Sequence, residues 1–247
     1  MFLGEPPRTQ GDLQFSLARI PVRVHPLFWL VAVLLNYRLP NFMALAMWVL
    51  AVFVGVLLHE MGHALMMRAY GFYPWITLYG MGGMASYQPG SYSARGRSHL
   101  AQILISAAGP GAGFVLAALL LIGVRLSGNG IEIGLSGGIP YAATVPFRPL
   151  PVYLFLNFLL DVSIYWGLLN LLPILPLDGG HIAQEVLTAA SPRDGTRQVL
   201  ILSIVVGALL AAVSLLRWDD FFLALLFGYM AYGNYMALQA YSGRGFF

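Results

Sequence analysis

The sequence predicts an all-α polytopic membrane protein with about six transmembrane helices and a small membrane-associated β-hairpin or sheet. Hydrophobic residues make up 59% of its 247 residues and charged residues only 9%, a composition that soluble domains do not approach. Long uncharged runs recur along the chain, and short alternating or glycine-rich stretches separate several of them. No linker or change in composition marks a second domain. We therefore predict one membrane-embedded domain over residues 1–247.

The N-terminal region is predicted to contain a strand segment followed by two helices. Residues 13–24 place apolar side chains at alternate positions, which is typical of a strand. The apolar stretch from Pro26 to Leu39 is short enough to be either a spanning or an interfacial helix, and we count it as the first of six spans. Residues 42–58 are uncharged and lead directly into a His-Glu pair, so one helix is expected to span the membrane and carry that pair. Gly71 is a natural C-terminal stop for this helix.

Residues 72–99 mix aromatic and β-branched residues with several glycines and Pro89, which predicts a hairpin or re-entrant loop followed by a polar turn. Non-helical backbone at membrane depth is tolerated only against protein or water. We therefore expect this hairpin to lie beside the functional site, whose polar motifs are described below.

The remaining chain supplies four more predicted spans. Residues 100–124 form the third, with small side chains that permit close helix packing. The glycine- and proline-rich residues 128–151 are predicted to be a loop. The other spans cover 152–172, 199–216 and 221–238, and the polar segment 181–197 separates the fourth from the fifth. Residues 26–190 then form a core that carries both polar motifs described next.

The first polar motif is His59-Glu60-Met-Gly-His63. Two histidines four residues apart fall on one face of a helix, a spacing that suits one tetrahedral zinc ion per chain, with Glu60 placed to take a proton from an attacking water. Catalytic zinc usually has three protein ligands, and without cysteine the third must be His, Asp or Glu. Asp178 is the best candidate, although it could instead cap the helix that follows it.

Asp178 belongs to a second motif, Asn170-Leu-Leu-Pro-Ile-Leu-Pro-Leu-Asp178-Gly-Gly, whose prolines should break the helix and free backbone groups. Asn170 is either a helix-packing amide or a donor to the oxyanion of a tetrahedral intermediate. For Asn157 and Asp161 on the fourth span we favour an interhelical polar contact over catalysis.

The other histidines have simpler expected roles. His25 is predicted to be structural, His99 to be a solvated loop residue, and His181 to lie outside the metal ligands while supporting them.

The charge pattern excludes one class of partner and suggests an orientation. The net charge is +3, all basic residues are arginines, and no basic run is present, so nothing favours nucleic-acid binding. With six spans both termini lie on one side, and that side carries Arg8, Arg19, Arg23, Arg68, Arg95, Arg97, Arg193, Arg197 and Arg244. The other side carries Arg38, Arg125, Arg148 and Arg217. The positive-inside rule then predicts cytoplasmic termini and a metal site toward the cytoplasm.

The two motifs together resemble those of the site-2 protease family of intramembrane zinc metalloproteases. The family has H-E-x-x-H on one transmembrane helix and N-x-x-P…L-D-G on a later one, matched here by HEMGH and NLLPILPLDGG. The flanks IPVRVHP and HALMMRAYG are also similar, so the resemblance covers residues 17–182. Gly113 stands where the family often has asparagine. No PDZ-like insertion fits the loops and no CBS-like domain follows Phe247, so a minimal core is expected.

The resemblance implies that His59, His63 and Asp178 bind zinc, that Glu60 is the general base and acid, and that Asn170 aids substrate or oxyanion binding. The implied reaction is hydrolysis of a peptide bond in or near a transmembrane segment of a membrane-anchored substrate, as in regulated intramembrane proteolysis. The all-arginine basic usage and the lack of extra domains suggest a prokaryotic protein, and therefore an inner-membrane location. Because helical carbonyls are bonded internally, such a substrate must unwind, and a strand within residues 72–88 could hold it by strand addition.

Two other readings remain open from the sequence. A membrane peptidase of the class that trims prenylated tails would use a glutamate as third ligand, and Glu132 or Glu185 are the only candidates. A zinc-binding scaffold or transporter would use the same ligands without peptidase activity. An intact Glu60 argues against a scaffold, and the scarcity of polar residues in the last two spans argues against a transport path.

Overall fold

The computed structural model describes residues 6–80, 82–88, 94–136 and 139–243; Pro89 and Arg244 lie outside this part of the chain. Its elements are, in order, β1 (Leu13–Leu17), β2 (Ile20–Val24), α1 (Pro26–Leu35), α2 (Phe42–Ala69), β3 (Pro74–Tyr79), β4 (Gly82–Tyr87), a 3₁₀ turn (Ala94–Arg97), α3 (His99–Leu126), β5 (Ile131–Ser136), β6 (Ile139–Thr144), α4 (Leu150–Asp161), a π-helical turn (Val162–Trp166), α5 (Gly167–Asn170), α6 (Asp178–Ala190), α7 (Gly195–Leu216) and α8 (Phe221–Gly243).

Five helices within the described residues are long and apolar enough to cross a membrane, namely Phe42–Ala69, His99–Leu126, Leu150–Asn170, Gly195–Leu216 and Phe221–Ser242. These helices identify an integral membrane protein, and side chains such as Leu119, Leu209 and Leu225 are about 60% exposed on them. The sequence predicts about six spans, and the described residues contain five such helices because the first apolar stretch folds as the ten-residue helix α1. At 1.5 Å per residue α1 is about 15 Å long, half the thickness of the hydrocarbon core.

The chain divides into two compact units, each described here by itself. The first contains residues 1–96 and 108–168, and the second contains residues 97–107 and 169–247. The single-domain organisation drawn from the sequence stays a prediction.

A four-stranded sheet in the order β1-β2-β3-β4 dominates the start of the first unit. The predicted strand segment 13–24 is two antiparallel strands, which turn at Ala18 and Arg19 with φ of 50° and 64°. β2 pairs in parallel with β3, and β3 pairs antiparallel with β4. The apolar face of the sheet packs on α2 through a cluster that includes Ile20, Val22, Val24, Ile76, Leu78, Val56, Leu57, Met61 and Ala64. The hairpin predicted after α2 is therefore confirmed as half of a larger sheet.

α1 runs antiparallel to α2 and starts at the sheet. The rings of Phe28 and Phe53 contact edge to face, and Trp48 Nε1 donates to the Ala32 carbonyl at 2.8 Å. The His25 ring caps α1 by accepting from the Leu27 N–H, and its own backbone N–H donates to Leu78 at the end of β3. His25 is thus structural, as predicted.

The region 128–151, predicted to be a loop, contains the antiparallel hairpin of β5 and β6. The Asn157 amide on α4 holds this hairpin, because its oxygen accepts from the Thr144 N–H at 2.9 Å and its nitrogen donates to Thr144 Oγ1 at 2.7 Å. The expected interhelical contact of Asn157 is therefore a contact between a helix and a strand. The alternation in β5 is interrupted by Gly134 and is short, so the sequence did not indicate a strand there.

The second unit consists of the start of α3, the segment after α5, and helices α6 to α8. Ile174, Leu177, Phe227 and Met230 form its buried core cluster. His99 is the first residue of α3, not a loop residue, and its Nδ1 lies 2.6 Å from Glu185 Oε2 on α6. This pairing also occupies Glu185, one of the two glutamates considered as a metal ligand.

Candidate metal centre

His59 and His63 lie one turn apart on α2 and direct their imidazoles to the same point. Their Nε2 atoms are 3.2 Å apart and their rings cross at 76°. Both side chains are buried, with 3% and 6% of their surface exposed. Two imidazole nitrogens converging at this separation are the arrangement that a shared zinc ion requires.

The helix that carries this pair has defined ends. Asn41 caps its N-terminus by accepting from the Ala44 N–H at 2.8 Å, and Gly71 follows its C-terminus with a φ of 85°. That left-handed conformation is the one that glycine adopts without steric cost, so Gly71 stops α2 as predicted. Between the ends, a side chain at Gly62 would overlap the Ala108 carbonyl of α3, so the absence of one lets the two helices approach closely.

Gly109 on α3 keeps the space beside the two imidazoles open. A Cβ at this position would overlap His63 Nε2 and would lie 2.7 Å from His59 Nε2. Because glycine has no side chain, this position leaves space for a metal ion next to both nitrogens. This space fits an ion held by the two nitrogens.

Glu60 sits on the neighbouring face of α2 and points at strand β4. Its side chain is 5% exposed, and a Cβ at Gly83 would overlap it. Tyr79, the last residue of β3, also lies near this carboxylate; burial and the charge of Glu60 raise the pKa of the Tyr79 phenol. The sequence indicated neither Gly83 nor Tyr79, because only the pairing of β3 with β4 beside α2 brings them to Glu60.

Asp178 is the first residue of α6, and Leu177 occupies the N-cap position. The alternative prediction that Asp178 is the N-cap is therefore wrong, because the N-cap is the residue before it. A carboxylate in the first turn is favoured by the free N–H groups and partial positive charge of the helix start. The two following glycines are packed directly on the preceding segment: Cβ atoms at Gly179 and Gly180 would overlap backbone atoms of Leu171 and Ile174.

The donor groups of His59, His63 and Asp178 make up a set that could hold a metal ion. Two imidazoles and a carboxylate are the donor set of many catalytic zinc sites. Zinc therefore fits the residues present, by the chemistry of the donors and by the clearance at Gly109.

The remaining candidates are placed as follows. Asn170 ends α5 and is buried, with 9% exposure; its role stays a prediction. His181 is exposed on α6, and Glu132 is exposed on β5.

At Gly113 a Cβ would lie 2.9 Å from the Ser163 carbonyl, so the asparagine that the resemblance led us to expect there has no room. At this position α3 instead packs closely against the backbone of the π-helical turn.

Comparison with known proteins agrees with this geometry. The profile of Peptidase family M50 matches residues 149–214, about a quarter of the chain, which includes Asn170 and Asp178. The chain is 28% identical over 186 residues to the protein named "Putative zinc metalloprotease sll0528" of Synechocystis sp.. That alignment covers 70% of this chain and 43% of the relative, so the chain spans less than half of the relative's length.

The fold is similar to that of a solved structure, the site-2 protease from Methanocaldococcus jannaschii. The TM-score is 0.57 at 22% sequence identity, over 92% of this chain and 95% of that one. The resemblance drawn from the two motifs is thus confirmed: a profile of Peptidase family M50 matches part of the chain, and its fold is similar to that of a site-2 protease.

Proposed function

We propose that this protein is a zinc metalloendopeptidase that hydrolyses a peptide bond in or near the transmembrane segment of a membrane-anchored protein. The observation that carries the proposal is the convergence of His59 and His63 Nε2, 3.2 Å apart, beside a buried Glu60. A glutamate adjacent to such a pair serves hydrolysis and has no purpose in a purely structural site.

His59, His63 and Asp178 would hold the zinc ion. When bound, zinc would act as a Lewis acid on the scissile carbonyl and lower the pKa of a water molecule. Glu60 takes the proton from the attacking water and passes it to the leaving amine, which is the general base and general acid role. Asn170 donates a hydrogen bond to the developing oxyanion or to the substrate backbone. Burial of Glu60 and both histidines keeps bulk water away from these groups.

The substrate segment is held as an added strand on β4. In the described sheet β4 is an edge strand with β3 as its neighbour, so the other edge of its backbone can pair with an extended peptide. Gly83 within β4 lies directly against the Glu60 side chain. A peptide paired at this edge therefore passes the general base in the unwound form that hydrolysis requires.

The site faces the cytoplasm in this proposal, in a prokaryotic inner membrane. β2 pairs with β3, so the arginines before α1 lie at the end of α2 that also carries Arg68. α1 runs back along α2 toward Asn41 but is too short to be counted as a span, so the orientation rests on the arginines at this end of α2. The arginine bias then places this end of α2 inside.

The test compares purified wild-type protein with Glu60→Gln, using a tagged single-span membrane reporter and measuring bound zinc in both. We expect cleavage by wild type, loss of about a thousandfold in rate for Glu60→Gln, and equal zinc in each. Glu132→Gln removes an exposed carboxylate on β5 and serves as the matched control, with unchanged cleavage.

Equal product from wild type and Glu60→Gln would contradict the assignment of the base. Stoichiometric zinc in wild type without cleavage of a panel of single-span reporters would favour a zinc-binding scaffold instead.

A further inference from the structure

The segment Leu171–Leu177 between α5 and α6 leaves regular helical structure just before the candidate ligand Asp178. Pro173 and Pro176 have no backbone N–H, so they interrupt the helical hydrogen-bond series on both sides of Leu175. In a membrane protein the backbone groups released by such a break must find partners within the protein.

Leu175 finds both of its partners in side chains of the last two helices. Its N–H donates to Ser203 Oγ of α7 at 3.0 Å, and its carbonyl accepts from Asn234 Nδ2 of α8 at 2.7 Å. Asn234 is itself held by a second hydrogen bond, from Nδ2 to the Met230 carbonyl at 2.8 Å. Ser203 is fully buried and Asn234 is 5% exposed, so water does not compete for these bonds. One residue is therefore fixed from two helices by two side chains.

The position of Leu175 is transmitted directly to the start of α6. A Cβ at Gly180 would lie 2.5 Å from the Leu175 nitrogen and 2.6 Å from the Ile174 carbonyl oxygen. The first turn of α6 is thus packed against the backbone of this residue without an intervening side chain. Asp178 lies two residues before Gly180 in the same turn, so a displacement of Leu175 displaces the carboxylate.

We propose that Ser203 and Asn234 are positioning residues that hold Asp178 in place for metal binding by fixing the backbone of Leu175. The inference rests on the proposed function for its metal but concerns residues outside both sequence motifs. It also gives α7 and α8 a role beyond crossing the membrane: they supply the only described side chains that bond to the Leu175 backbone.

The experiment uses the full chain in lipid nanodiscs and three serine variants. Ser203→Ala removes the acceptor. Ser214→Ala is the matched control, because Ser214 lies on the same helix, is equally buried, and its hydroxyl has no hydrogen-bond partner among the described residues. Ser203→Thr keeps the hydroxyl and should restore the bond. Asn234→Asp replaces the donor to Leu175 by an acceptor of the same shape.

Two measurements are made on each variant. Amide hydrogen exchange of the peptide containing Leu175 reports the bond without any metal, and titration of the metal-free protein with Co²⁺, followed by its visible absorption, reports the site. We expect faster exchange at Leu175 and Co²⁺ binding weakened about tenfold in Ser203→Ala and Asn234→Asp, as for other residues that support metal ligands. Ser214→Ala and Ser203→Thr should bind Co²⁺ as wild type does.

Equal loss of Co²⁺ binding in Ser203→Ala and Ser214→Ala would overturn the proposal, as would faster exchange at Leu175 with unchanged Co²⁺ binding. Neither readout requires peptide cleavage. A protein that binds Co²⁺ as expected but cleaves no reporter would therefore contradict the proposed function and leave this inference standing.

Discussion

The two motifs of the metal centre are built in opposite ways. On α2 the candidate ligands His59 and His63 are placed by helix periodicity, since four residues of regular helix bring their Nε2 atoms to 3.2 Å. Asp178 instead follows a broken segment, and its backbone support comes from residues more than twenty positions further along the chain. A regular helix positions ligands locally, whereas a broken one depends on distant partners.

The difference has a physical origin in the membrane. In lipid a regular helix satisfies its own backbone, and a proline break does not. The break allows a new helix, α6, to start at this point with the Asp178 carboxylate at its positively polarised N-terminus. The cost is a set of free backbone groups that other helices must bind.

The largest effect is expected from closing the space beside the α2 ligands. Gly109→Ala places a methyl group against both Nε2 atoms, so it should weaken Co²⁺ or zinc binding by about a hundredfold, at the upper end for residues around a metal. Gly111→Ala, two residues away on α3 with no atom within 4 Å, is the control and should bind metal normally. Equal metal affinity in the two variants, measured by titration, would show that the space at Gly109 is not required.

A smaller effect is expected from the second motif. Gly180→Ala forces the Ile174–Leu175 backbone away from α6, and overpacking of this kind costs about 1 to 3 kcal/mol. Thermal unfolding should show that loss, accompanied by metal binding weakened about tenfold. Gly228→Ala on α8, where nothing lies within 4 Å, should match wild type in both measurements. A Gly180→Ala protein with wild-type metal affinity would mean that Asp178 is positioned independently of Leu175.

The smallest effect concerns the substrate edge of β4. Proline is introduced singly at Met84, Ala85 and Ser86. Where the N–H points away from β3, proline should lower reporter cleavage about tenfold while zinc content and thermal stability stay unchanged, because one net hydrogen bond to the substrate is lost. Where the N–H bonds to β3, stability should fall as well. Cleavage that remains at the wild-type rate in all three variants would exclude strand addition at this edge.

The sequence was sufficient for what depends on local pattern. The α2 motif, its end at Gly71, and the long apolar helices all follow from periodicity, glycine geometry and run length. The parallel pairing of β2 with β3, which completes the sheet that packs on α2, joins residues more than fifty positions apart and has no local signal. The hairpin of β5 and β6 was missed because its glycines and prolines are equally typical of a loop.

The candidate site divides in the same way. His59, Glu60, His63 and Asp178 could be chosen from residue type and spacing. Gly109 could not be assigned from spacing, because its function is the absence of a side chain at a point that only helix packing defines. Ser203 and Asn234 looked unremarkable as single polar residues in apolar helices, and their importance comes from a backbone group that the sequence does not mark.

Because α1 and α2 differ in length, the thickness of the surrounding lipid bilayer matters for this protein. α2 has 28 residues and a length of about 42 Å, while the neighbouring α1 measures about 15 Å. No single bilayer thickness matches both, so lipid beside α1 must thin or water must reach further in. The acyl-chain length of the lipid should therefore affect this membrane protein, just as ionic strength affects a soluble protein.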